Sequence, residues 1–77
     1  MAKKYTIGEK VKRARIHAEM DYNQLASASG LSTVAIRNLE KNKVHNPHLD
    51  TIARIAKGTK VKLSWFYQNL DVKEIEK

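Results

Sequence analysis

Gly30 and Ser32, two residues apart in the middle of the chain, leave it little choice of local fold. Glycine suits the left-handed conformation that ends a helix, and serine is among the best residues to begin one. Upstream stands Asp21, another good N-cap, with Gln24 three residues on in a capping-box arrangement. The chain is therefore expected to form a short helix after Asp21, running to about Ser29 and burying Leu25 and Ala26. It then reverses at Gly30 and starts a new helix at about Thr33, which ends near Lys41. In that next helix Leu31, Ala35, Ile36 and Leu39 fall at helical spacing and give it one face to bury. Two short helices joined so tightly make a helix-turn-helix, with Ala26 small enough for close helix contact.

The rest of the chain reads as three further helices and no strands, an all-α architecture. The first spans about Ile7 to Glu19, with Ile7, Val11, Ala14 and Ala18 along one face and Lys10, Lys12 and Arg13 on the outer face. After the third helix comes NKVHNPH, a loop by composition that holds the only proline. The fourth helix runs from His48 or Leu49 to Lys57 and is expected to bury Leu49, Ile52, Ala53 and Ala56, with Gly58-Thr59-Lys60 ending it. The fifth, about Lys62 to Leu70, holds Trp65, Phe66 and Tyr67. Successive helical residues point about 100° apart, so these three aromatics cannot all enter one small core. Residues 1–6 read as a basic N-terminal arm, 7–70 as one domain, and 71–77 as a charged tail.

Seventy-seven residues without a cysteine must fold with neither disulfides nor thiolate metal sites. The net charge of +7 suits a polyanionic partner, nucleic acid or an anionic membrane surface, and suits equally a surface that Lys and Arg merely solubilise. Residues 1–43 hold 9 Lys/Arg against 4 Asp/Glu, and residues 44–77 hold 6 against 4, so the excess leans towards the helix-turn-helix. No apolar run is long enough to cross a bilayer, and the basic N-terminus is not followed by the apolar stretch of a signal peptide. A cytoplasmic location is expected. The first helix is basic, but its apolar face is thin and rich in alanine, which argues against a membrane partner. RNA modules usually offer stacking aromatics on sheets or loops, whereas the aromatics here cluster near the far end. His45 and His48 fall in a loop and His17 is isolated, too little for a metal site or an acid–base pair. Neither catalysis nor a cofactor is expected.

One residue does not fit the buried-face pattern. Val34 lies off the apolar stripe of the third helix, among Thr33, Arg37 and Asn38. A valine there is either a stray surface residue or a sign that something other than water occupies that face.

The stretch from Ile7 to Leu70 resembles the lambda-repressor-like, or Cro/C1-type, helix-turn-helix proteins. The residues that carry the likeness are Leu25-Ala26, Gly30, Ser32, Ile36, Leu39-Glu40, Pro47, Leu49-Asp50-Thr51-Ile52, Ile55-Ala56, Val61 and Leu63-Ser64-Trp65-Phe66. The resemblance implies a five-helix DNA-binding domain whose third helix lies in the major groove of double-stranded DNA. By position, Thr33, Val34 and Asn38 match places that usually read bases, with Arg37 beside them. The chemistry suits this: Arg forks onto guanine, Asn onto adenine, and an apolar group packs on the thymine methyl. Tyr22, Asn23, Ser32, Lys41, Lys43, His45 and Asn46 match positions that follow the phosphate backbone. Ser32 has the added help of the free N–H groups at its helix start.

Two departures stand out. Tyr22 replaces the glutamine common at the start of the second helix, and Asp21 brings a negative charge near the same phosphate, unless its carboxylate turns onto its own helix. Ser29 replaces a residue that is commonly apolar. Arg15 and Glu40 lie beside the apolar stripes of their helices, at positions that commonly pair across the domain. Phe66 matches a core position, and Trp65, Tyr67 and Leu70 are expected at a dimer surface, since such repressors bind (pseudo)palindromic operators as symmetric dimers. The function so implied is a sequence-specific transcriptional regulator, a repressor of phage, mobile-element or bacterial genes. The alternative is an antitoxin that uses the same fold to bind a protein partner and to regulate its own gene.

Overall fold

The computed structural model describes residues 5–44 and 47–68. Among these, five helices and no strand form the fold: α1 (Ile7–His17), α2 (Tyr22–Ser29), α3 (Thr33–Glu40), α4 (Leu49–Thr59) and α5 (Leu63–Phe66). The expected Leu70 lies outside the described residues, as do His45, Asn46 and the residues assigned to the arm before Tyr5 and to the tail.

The first three helices begin on capping side chains. Thr6 Oγ1 accepts the Glu9 N–H at 3.1 Å while the Thr6 N–H donates to Glu9 Oε1 at 2.9 Å. Asp21 and Gln24 make the same reciprocal pair at 2.8 and 2.9 Å, so the Asp21 carboxylate is turned onto its own helix. Ser32 Oγ accepts the Ala35 N–H at 3.1 Å. These bonds satisfy donors that a helix start would otherwise leave open. Gly30 ends α2 in the left-handed conformation at φ 75°, where a side chain would be strained. Ser29, polar where the resemblance implies an apolar residue, supports the end of the helix. Its buried hydroxyl donates to the Leu25 carbonyl at 2.7 Å and accepts the Leu31 N–H at 3.3 Å, so it bridges the helix and the turn.

The main core joins Ile7, Val11, Ala14, Leu39, Ile52, Ile55, Ala56 and Phe66, with Leu31, Val61, Leu63 and Trp65 packed on its edge. Phe66 is fully buried, and the Trp65 ring meets it edge-on at 5.1 Å. Tyr67 is exposed, so the three aromatics do separate. α1 crosses α3 at Gly8, where a methyl group would collide with the Leu39 carbonyl and with Asn42 Oδ1. The two backbones therefore touch, which fixes the height of α3 on the domain.

Four expectations are corrected. Lys10 is not on the outer face: it is 3% exposed, with its ammonium over the Trp65 ring at 4.1 Å and the Tyr5 ring at 5.3 Å. It stands three residues after Ile7 and four before Ala14, which puts it on their helical face. Leu49, expected inside, is 60% exposed, and Ile55 takes the buried place instead. α4 runs through Gly58 and Thr59, and Lys60 ends it in the left-handed conformation at φ 61°. Gly58 serves packing rather than termination, since an added Cβ would lie 3.3 Å from Ala28 and the Ser29 nitrogen. α1 stops at His17, α3 at Glu40 and α5 at Phe66, each short of the expected end.

Candidate nucleic-acid interface

α3 divides sharply. Ile36 and Leu39 are wholly buried, and Ala35 is half-buried. On the other side Val34 is 60% exposed and Arg37 is exposed, with Thr33 and Asn38 half-buried beside them. The four residues expected to read bases thus lie along the side of α3 that its own domain leaves uncovered. Ser32 is exposed at the start of the helix and Asn23 at the start of α2. The chain leaves α3 through Lys41, then Asn42 at φ 60°, and the Lys43 N–H returns to the Asn38 carbonyl at 2.9 Å. That bond holds the exposed Lys43 close to the uncovered side of α3, with Lys41 also exposed.

Behind this surface lies a polar corner built by three helices. Arg15 of α1 grips Glu40 of α3 in two places, Nε to Oε2 at 2.7 Å and Nη2 to Oε1 at 3.2 Å. A third guanidinium nitrogen, Nη1, donates to the Met20 carbonyl at 3.0 Å. The Glu40 side chain is 3% exposed and that of Arg15 14%. The hydrogen bond to Glu40 pushes the Arg15 pKa above its ordinary value even against desolvation. Such bidentate geometry is directional, so it fixes how α3 lies relative to α1.

Tyr22 sits differently from the expectation of a free hydroxyl facing a phosphate. Its hydroxyl donates to Glu40 Oε1 at 3.3 Å. The Arg15 guanidinium lies over its ring at 4.4 Å and that of Arg37 at 5.4 Å. The sequence offered no sign of these contacts, because they depend on how α2 crosses α3. Lys10 was likewise missed, although the spacing from Ile7 would have found it. Burial holds its ammonium below the usual lysine value, and nearby Arg13 adds to the effect. Among the described residues no group of three or more metal-ligating side chains gathers, and no helix is long and apolar enough to cross a membrane.

Residues 11–66 match the helix-turn-helix family. Among solved structures, SinR, the master regulator for biofilm formation, in complex with DNA, superposes with a TM-score of 0.77 over 82% of this chain and 100% of its own, at 19% identity. SinR is a Bacillus subtilis protein. The P22 c2 repressor in complex with a synthetic operator gives 0.73 over 84% and 97%, at 18% identity. The restriction-modification controller protein C.Esp1396I gives 0.72 over 92% and 88%, at 30% identity. No curated protein sequence matches the chain. The fold is that of DNA-binding regulators, and the chain belongs to the helix-turn-helix family of Cro/C1 type.

Proposed function

We propose that this protein is a sequence-specific double-stranded DNA-binding repressor that reads the major groove with α3. The observation that carries this reading is the exposed side of α3, where Val34 and Arg37 stand out from the surface while Ile36 and Leu39 anchor the same helix. A helix of this kind fits the major groove, which shows a different donor, acceptor and methyl pattern for each base pair. Arg37 suits guanine, Asn38 adenine, Thr33 either a donor or an acceptor, and Val34 a thymine methyl.

Ser32, Asn23, Lys41 and Lys43 surround this face and suit the flanking phosphates, with His45 and Asn46 extending the series along the chain. Tyr22 belongs to this group only weakly, since its hydroxyl already serves Glu40. A homodimer on a (pseudo)palindromic operator accounts for the exposed Tyr67 and half-buried Trp65 at the end of the domain. Its two reading helices would lie about 34 Å apart on one face of the duplex.

Selection from a randomised duplex pool tests the proposal. The expected result is a consensus with two-fold symmetric half-sites one helical turn apart, bound less tightly as salt rises, because phosphate contacts release counterions. Enrichment of no consensus would overturn it.

A further inference from the structure

We propose that Tyr22 is a positioning residue for DNA readout, its ring serving as the platform that carries the Arg37 guanidinium to the base edges. The inference rests on the reading that α3 enters the major groove and names a part of that site to which the family resemblance gives a different task. A residue at the start of α2 is expected to donate to a phosphate. Here the donor is already used, since the hydroxyl points at Glu40 Oε1. What Tyr22 offers the DNA-facing side is its ring, and Arg37 lies over it at 5.4 Å.

Three features make the ring a suitable platform. First, it is held at both ends: Tyr22 is the first residue of a capped helix, and its hydroxyl is tied to a carboxylate that Arg15 grips in two places. Second, donating to a carboxylate draws electron density onto the phenol oxygen and ring, which favours a cation over the ring face. Third, Arg15 and Glu40 neutralise each other, while Arg37 meets no carboxylate among the described residues. Its charge therefore remains available to a nucleic acid. A free arginine has many rotamers to lose on binding. A guanidinium already resting on a fixed ring loses fewer of them and presents its planar fork at one angle.

The test uses the duplex selected by the wild-type protein and a set of duplexes substituted at each base pair. Arg37→Ala should lose discrimination at one base pair in each half-site. Tyr22→Gln, which keeps a polar group able to reach a phosphate but has no ring, should lose discrimination at that same pair. The loss should be about twofold to fivefold, the range for an exposed cation–ring contact. Tyr22→Phe should keep most of it. In the double variant the two losses should not add, because both remove the same contact.

If Tyr22→Gln weakens all duplexes equally while Arg37→Ala alone loses discrimination, Tyr22 is a phosphate contact or a structural residue and the proposal fails. It fails also if Tyr22→Phe behaves like Tyr22→Gln, since the hydroxyl and not the ring would then matter. Thermal melts of each variant separate folding from readout. An absent consensus in the original selection would instead remove the DNA-reading proposal itself, so the two failures are distinguishable.

Discussion

Two cations of α1, Lys10 buried and Arg15 partly so, hold this domain together by opposite means. Arg15 is anchored to the carboxylate of Glu40 at 2.7 Å, with the Met20 carbonyl and the Tyr22 ring close by. Lys10, five residues earlier on the same helix, meets no carboxylate among the described residues and rests on the rings of Trp65 and Tyr5. The first arrangement is directional and joins α1 to α3, the helix proposed to meet DNA. The second is soft and tolerant, and it lies where α1 meets α5, away from that face. Charge pairing is thus placed where the angle of a helix matters, and apolar packing where only burial matters.

This contrast can be broken from either side. Arg15→Ala should have the largest effect, a loss of about 3–5 kcal/mol, because it leaves the buried Glu40 carboxylate without its partner. Urea unfolding checks this, and an unchanged midpoint would show that the corner is ornamental. Ile52→Ala, in the apolar half, should cost about 2–5 kcal/mol through the cavity it leaves. It should leave base preference intact in whatever fraction stays folded.

Ser29→Ala should cost about 1 kcal/mol by removing the two hydrogen bonds that join α2 to the turn. Lys10→Met should change stability least, by less than about 1 kcal/mol at neutral pH, since the thioether keeps the packing and loses only a cation already disfavoured by burial. It should show itself in pH dependence instead. The folded chain holds Lys10 below its ordinary value of 10.5. Between the two values the unfolded chain therefore binds more protons, and wild-type stability rises with pH. The variant should lack that rise, which paired unfolding curves taken across the pH range just below 10.5 would show.

Much of this was legible in the chain itself, for identifiable reasons. Asp21 with Gln24, Gly30 and Ser32 act over three or four residues, so the start and stop of α2 and the start of α3 could be read locally. The exposure of Val34 followed from the helical period alone. Gly58 misled because glycine signals both a helix end and a close helix contact, and only the approach of Ala28 tells which. Leu49 looked buried by spacing, yet as the first residue of α4 it is left exposed. The Tyr22 contacts with Arg37 and Glu40 join residues far apart in sequence, and no local pattern encodes such a meeting.

The proposed contact is between the uncovered side of α3 and the bases. Isotope-edited NMR of the protein titrated with its selected duplex tests it most directly, using the Val34 methyl groups and the backbone amides as reporters. Contacts between Val34 methyls and a base in the major groove are expected, with the largest amide changes from Ser32 to Val44. Val34 methyls that keep their free signals, with the changes gathered instead around Arg13, Ile16 and Trp65, would contradict it.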